Sequence, residues 1–187
     1  MSEAENAWSA YEQADLLYAR EEIEAALDRM AAAIGERLAG TDPLVLAVLT
    51  GGMIPAANLV LRLDFPLTLD YLHATRYRGA TRGGELHWLA RPRHAIRGRT
   101  VLVVDDILDE GLTLEAILAY CREAGARAVY SAVLVDKERP RQGLRHADFT
   151  GLTVPDRYVF GYGMDYHDYL RNLPGIYALK EEEKEPR

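Results

Sequence analysis

The sequence predicts an α/β domain with a mainly parallel sheet flanked by helices. Three observations lead there. Apolar runs at 44–49, 101–104 and 128–135 are unbroken, as in strands buried on both faces. The stretches between them carry apolar residues at helical spacing, and strands alternating with helices build parallel sheets. The chain has 187 residues, the length of one domain (1–187), whose core needs no covalent staples.

The elements follow in order. Residues 1–14 and 180–187 read as mobile ends, the second almost wholly charged. Ile23, Leu27, Met30, Ile34 and Leu38 recur every three or four residues, which predicts a helix over 20–39 with Gly40 as its stop. Thr41-Asp42-Pro43 turns the chain into the first strand, 44–49, and Thr50-Gly51-Gly52 breaks it. A helix over 54–63 and a second strand over 67–72 come next. Residues 73–99 change character: Arg76, Arg78, Arg82, Arg91, Arg93, Arg97 and Arg99 stand against one acid, Glu85, among Gly79, Gly83 and Gly84. This segment is expected as a mobile Arg-rich loop, with a short strand near 86–89. A third strand over 101–104 ends in Asp105-Asp106, a helix over 112–123 stops at Gly125, a fourth strand covers 128–135, and 158–160 reads as a short fifth.

Composition excludes several classes of function. Lys and Arg number 22 against 29 Asp and Glu, a net charge of −7, so the chain is not built to coat nucleic acid. The one cysteine, Cys121, excludes a disulfide framework and a Cys-rich zinc site, and suits a reducing cytoplasm. No apolar run approaches the roughly 18 residues of a membrane span, and the first residues are acidic, unlike a secretory leader.

In a parallel sheet, ligands sit beyond the carboxyl ends of the strands. The richest such segment is Val101-Leu-Val-Val-Asp-Asp-Ile-Leu-Asp-Glu-Gly-Leu-Thr113. Four apolar residues deliver an acid pair to the sheet edge, and a turn then opens a helix. The amides of Glu110, Gly111, Leu112 and Thr113 are first-turn donors which, with the helix dipole, suit a phosphate. Gly111 permits close approach, and the Thr113 hydroxyl adds a donor. Asp105 and Asp106 suit sugar hydroxyls or a hard cation such as Mg²⁺ carried by the substrate. Asp109 lies between acid pair and phosphate loop, where a general base reaches a reacting ring.

This segment resembles the 5-phosphoribosyl 1-pyrophosphate (PRPP) signature of the type I phosphoribosyltransferases. Leu46-Ala-Val-Leu-Thr-Gly-Gly52 is similar to the pyrophosphate-loop strand of the hypoxanthine-guanine members, Val135-Asp136-Lys137 to their base-contacting lysine segment, and Asp148 through Tyr166 to their purine-binding stretch, which His167 through Leu173 continues. The resemblance runs in order over residues 15–179. It implies the family's fold, with a small hood formed by terminal segments over the sheet.

The resemblance also implies roles. Asp109 matches the base at purine N7. Asp105 and Asp106 match acids that face the ribose hydroxyls and Mg²⁺, and Glu110 to Thr113 match the 5′-phosphate loop. Thr50 and Gly51 match the pyrophosphate loop, with a non-proline cis peptide between Leu49 and Thr50. Lys137 matches the donor to the purine 6-oxo group, Tyr158 the stacking aromatic, and Val159 the residue whose backbone meets the purine edge. Asp165 matches a second Mg²⁺-linked acid near the pyrophosphate, and Arg171 a basic residue that reaches the pyrophosphate. Arg76-Tyr77 is the nearest match to the family's Ser-Tyr loop. Two departures stand out: Thr50 replaces a frequent Lys, and Glu110 stands where Thr or Ser is usual.

The expected function is purine salvage, in which hypoxanthine or guanine and PRPP give IMP or GMP and pyrophosphate, with Mg²⁺. Lysine carries only donors, which favours a 6-oxo over a 6-amino purine. The partners are these small molecules, with no membrane or nucleic acid, and the family implies a homodimer or homotetramer. The alternatives are a xanthine-preferring enzyme, or a non-catalytic PRPP sensor that binds nucleic acid through Arg76 to Arg99.

Overall fold

The computed structural model describes residues 2–76 and 86–180. A six-stranded sheet forms its centre. β2 (Leu44–Val48), β5 (Thr100–Leu108) and β6 (Ala128–Glu138) lie side by side, each buried along most of its length. β3 (Thr68–Arg76) and β4 (Leu86–Ala90) extend one edge and β7 (Phe149–Pro155) the other, in the order β4-β3-β2-β5-β6-β7. All neighbours are parallel except β3 and β4.

Strand side chains alternate between faces, so each apolar run fills two cores. Val45, Ala47, Leu102, Val104, Ala132 and Leu134 pack with α2 (Arg20–Leu38) and α3 (Met53–Val60). Leu44, Leu46, Val48, Val101, Val103 and Val133 pack with α4 (Leu112–Glu123), through Ile117, Leu118 and Cys121. Gly40, at φ +82°, ends α2 in the left-handed conformation glycine adopts without penalty.

A second, three-stranded antiparallel sheet of β1 (Asp15–Tyr18), β9 (Ile176–Ala178) and β8 (Val159–Phe160) forms the hood. Its strands come from the two ends of the chain, as the resemblance implied. Beside it lies α1 (Glu3–Gln13), which corrects the expectation of a mobile end at 1–14. Ser2 caps α1, its hydroxyl accepting from the Glu5 amide while the Glu5 carboxylate accepts from the Ser2 amide. Ala7 is buried with Phe160, Leu170 and Leu173, and Tyr11 meets the Tyr177 ring edge-on at 5.0 Å. One buried position over three turns leaves no apolar stripe, so the periodicity was silent.

The basic segment 73–99 is also corrected in part. β3 runs on through Arg76, and β4 pairs with it antiparallel, Ala74 facing Trp88 and Thr75 facing His87. Asp70, buried on β3, accepts from the amides of Arg93 and His94 at 2.8 Å each and lies 2.9 Å from His94 Nδ1, which pins the return of the hairpin. Tyr77, the side chain of Arg76, and the expected mobile tail beyond Lys180 lie outside the described residues.

Candidate active site

Two adjoining cavities open at the carboxyl edge of β2, β5 and β6. The larger, about 800 Å³, is lined by Val48 of β2, Leu49 and Gly51 beyond it, Ala74 and Thr75 of β3, and every residue from Asp105 to Leu114. The smaller, about 190 Å³, is lined by Asp106, Ile107, Asp109, Lys137, Tyr158, Val159, Met164 and Asp165. Asp106, Ile107 and Asp109 belong to both walls.

β5 does not stop at Val104. It continues to Leu108 because β6 runs alongside, Ile107 facing Val135 and Leu108 facing Asp136. The acid pair therefore sits within a strand. Asp105 Oδ1 accepts from the Asp106 amide at 2.9 Å, and Asp106 Oδ1 from the Ile107 amide at 2.7 Å. Burial, then the neighbouring Asp106 charge, pushes Asp105 well above the usual carboxylate range. Burial also raises Asp106, against the opposing pull of hydrogen bonds and the Arg171 charge. Two crowded carboxylates of this kind favour a hard cation with oxygen ligands, so the residues present fit Mg²⁺. Asp165 does not join them. It pairs with Arg171 Nη2 at 2.9 Å and accepts from the Asp168 amide at 2.9 Å. Among the described residues no group of three His, Cys, Asp or Glu side chains converges on one point.

Asp109 stands at the seam of the two cavities, held by two cations. Lys137 Nζ donates to Oδ2 at 2.8 Å, and Arg139 Nη1 to Oδ1 at 2.7 Å. Burial pushes Asp109 up, but the hydrogen bonds and charges of Lys137 and Arg139 outweigh it and leave the carboxyl below its ordinary value. A group that is ionised at neutral pH and flanked by donors suits the acceptance of a ring N–H.

The larger cavity ends at the N-terminus of α4. Gly111 takes φ +76° there, which only glycine adopts freely. Glu110 is exposed. Gly51 lies against the acid pair, since a β-carbon on it would sit 1.8 Å from Asp106 Oδ2. The peptide between Leu49 and Thr50 is cis, and Thr50 is exposed beside it. From the hood, Tyr158 and Val159 wall the smaller cavity, Tyr158 with its ring stacked on His167 at 6.5 Å.

An acid pair, a third carboxylate and a helix N-terminus thus share one strand-turn-helix, which lies within the stretch matched by a known family. The phosphoribosyl transferase domain matches residues 13–167. The chain belongs to the phosphoribosyltransferase family. It is 34% identical to a hypoxanthine-guanine phosphoribosyltransferase of Bacillus subtilis strain 168, over 88% of this chain and 92% of that one. It is also 34% identical to a hypoxanthine-guanine-xanthine phosphoribosyltransferase of Tritrichomonas foetus, over 89% and 91% of the two chains. A crystal structure of a hypoxanthine phosphoribosyltransferase from Staphylococcus aureus superposes with a TM-score of 0.86 at 28% identity, covering 91% of this chain and 94% of that one.

Of the residues assigned by resemblance to phosphoribosyltransferases, Asp105 to Thr113 and Gly51 line the larger cavity, and Lys137, Tyr158, Val159 and Asp165 the smaller. Arg171 reaches the site through Asp165 and donates to the Gly163 carbonyl at 2.7 Å. Lys137 lies within β6, not after it. Sequence reading missed Arg139 and Arg141. The signal for Arg139 was its spacing: two residues beyond Lys137 along an extended chain it returns to the same side. Arg141 carries no such signal, because its contacts depend on how β5 and β6 are registered.

Proposed function

We propose that the protein transfers the phosphoribosyl group of PRPP to N9 of a 6-oxopurine, hypoxanthine or guanine, and releases IMP or GMP and pyrophosphate. The observation that carries this reading is the Lys137–Asp109 ion pair at the seam of the two cavities. It sets a donor-only group and an ionised acceptor side by side, complementary to the 6-oxo and N7–H edge of such a purine.

In this reading PRPP lies in the larger cavity. Its 5′-phosphate meets the amides of Glu110 to Thr113 and the Thr113 hydroxyl, and its ribose hydroxyls face Asp105 and Asp106. Pyrophosphate lies by Thr50 and Gly51, with Arg171 in reach. Asp105 and Asp106 would hold Mg²⁺, which would supply charge neutralisation for the leaving group. The purine stacks on Tyr158 with its edge against the Val159 backbone. As the C1′–oxygen bond breaks and the C1′–N9 bond forms, Asp109 accepts or relays the N7 proton, and the electrons of the broken bond leave with pyrophosphate. The retained base and lysine argue against a sensor without catalysis.

The family's homodimer or homotetramer is proposed here too. Met53, Leu69 and Tyr71 are each about half exposed around a groove by α3 and β3, and suit a second copy. No described helix is long and apolar enough to cross a membrane. The buried thiol of Cys121 suits the reducing cytoplasm.

The test is a spectrophotometric assay with PRPP and Mg²⁺ against hypoxanthine, guanine, xanthine and adenine in parallel. Turnover of hypoxanthine or guanine with adenine inert is the expected result. Xanthine as the fastest base replaces the preference but keeps the reaction. No turnover of any base, with PRPP bound and nucleic acid retained, overturns the enzyme reading.

A further inference from the structure

The amides of the phosphate loop face the larger cavity only while its carbonyls face away and are satisfied. One segment engages four successive carbonyls, the two of the loop's start and the two that lead into it. Arg141 Nη2 donates to the Leu108 carbonyl at 3.0 Å and Arg141 Nε to that of Asp109 at 2.8 Å. The Gly143 amide donates to the Glu110 carbonyl at 3.3 Å, and the Leu144 amide at 3.2 Å joins the Glu115 amide at 3.0 Å on that of Gly111. Among the described residues, no acceptor takes the amides of Glu110 or Gly111 themselves.

The fit leaves no slack. A β-carbon on Gly143 would lie 2.6 Å from the Gly111 carbonyl carbon and the Leu112 nitrogen, and one on Gly111 would lie 2.4 Å from the Leu144 oxygen. Two glycines therefore meet backbone to backbone. The Arg141 side chain is 7% exposed, and its guanidinium reaches further. Nη2 also meets the Lys137 carbonyl and the Asp136 carboxylate, and Nη1 donates to the Arg145 carbonyl at 2.7 Å. A single planar fork thus joins the end of β5, which carries Asp109, to the end of β6, which carries Lys137. Lysine has the charge but not the fork.

We propose that residues 141–144 form a positioning strap, which holds the phosphate loop with its amides turned to the substrate and, through Arg141, sets the spacing between that loop and the purine-facing lysine. The inference rests on the phosphoribosyltransferase reading and deepens it. None of these residues lines either cavity, so the strap acts through the loop.

Gly143→Ala tests it. The Gly143 φ lies outside the left-handed region, so the substitution adds bulk without backbone strain. Binding of two probes is measured by calorimetry: ribose 5-phosphate for the phosphate loop, and inorganic pyrophosphate with Mg²⁺ for the other end. Gly143→Ala should weaken ribose 5-phosphate by roughly tenfold or more, the loss of about one charge-assisted hydrogen bond. Pyrophosphate should stay within about twofold, and the KM for PRPP should rise more than kcat falls. Arg141→Lys should lose ribose 5-phosphate affinity and hypoxanthine turnover together, while Arg141→Ala gives no more than a small further loss. If the Arg141 variants do not fold, Gly143→Ala decides alone. Unchanged ribose 5-phosphate affinity in Gly143→Ala overturns the strap, and so do equal losses for the two probes. A native protein that binds neither probe and turns over no purine overturns instead the reading on which the strap stands.

Discussion

Replacing Lys137 by Met removes the ammonium while keeping a side chain of similar length. In the native protein Nζ sits 2.8 Å from Asp109 Oδ2, and the lysine side chain is 9% exposed. The carboxylate is not orphaned by the change, because Arg139 still holds Oδ1 at 2.7 Å. Asp109 is 40% exposed, so the pair is screened by water and its loss should cost about 1 kcal/mol, moving the melting temperature by only a few degrees. Activity should respond far more. A charged donor to a 6-oxo group contributes about 1.5–3 kcal/mol, so kcat/KM for hypoxanthine should fall roughly 10- to 150-fold. The KM for PRPP should change little. Adenine use should not fall in step, because its 6-amino group no longer faces a donor it cannot accept from. The pH dependence shifts as well. Asp109 loses one of the two cations that hold its pKa down against burial, so its pKa rises. A carboxylate lowered on folding stabilises above its unfolded pKa and loses that contribution as pH falls through its folded value. The acid limb of kcat/KM, which needs Asp109 ionised, should therefore lie at higher pH in the variant. Initial rates with hypoxanthine and adenine from pH 3 to 9 measure both effects. Equal losses for PRPP and purine, or an unmoved acid limb with a normal hypoxanthine-to-adenine ratio, would refute the assignment.

Three other perturbations separate chemistry from folding. Asp109→Asn should lower kcat by roughly 10²-fold with ribose 5-phosphate affinity retained, and an undiminished rate removes Asp109 from the base role. Asp105→Asn should melt higher than the native protein at pH 7, because a carboxyl raised on folding costs stability as pH climbs from its unfolded to its folded value; calorimetric scans should show the gap closing toward pH 4, and Mg²⁺ with PRPP should stabilise the variant less. Gly51→Ala and Gly52→Ala should part company. A β-carbon on Gly51 meets the Asp106 carboxylate at 1.8 Å and should cost activity at little change in melting temperature, whereas one on Gly52 meets the Val48 and Val104 carbonyls at 2.6 and 2.7 Å and should destabilise by about 1–3 kcal/mol, read by urea titration.

The central sheet was legible because β2, β5 and β6 are buried on both faces, and an unbroken apolar run has few other meanings. The hood was not legible from pattern. β1 pairs with β9 across almost the whole chain, Asp15 facing Ala178, and each strand is too short to show alternation. Strand ends were misjudged for a related reason. Asp105 and Lys137 read as loop residues because charge ends an apolar run, yet β5 continues because β6 provides its ladder, and β6 continues because β7 does, Lys137 facing Val154. The segment Asp105 to Thr113, which lines the larger cavity, could be picked out directly because it is contiguous. Arg139 and Arg141 acquire meaning only from the β5–β6 register.

That register also accounts for the acid in the phosphate loop. Glu110 beside a 5′-phosphate is unfavourable by itself, yet it is exposed and its main chain is held by the Gly143 amide. Around it, Lys137, Arg139 and Arg141 from β6 and its extension face Asp109 and Glu110 from the end of β5. Asp109, then Asp156 and Glu110, strengthen the charged form of Arg139. Asp136 is engaged by Arg141 and Asp156 lies 3.6 Å from Arg139, so the neighbourhood is a braced lattice of both signs and not a lone carboxylate. In the proposed reading, a dianionic phosphate binds there through the amides of Glu110 to Thr113 and not against a lone carboxylate. On this account, neutralising Glu110 changes PRPP affinity only modestly, whereas disturbing the backbone to which it belongs changes it greatly. If the strap holds as proposed, the functional unit is the orientation of the peptide groups, and a side chain of the wrong sign is tolerated as long as that orientation is fixed from behind.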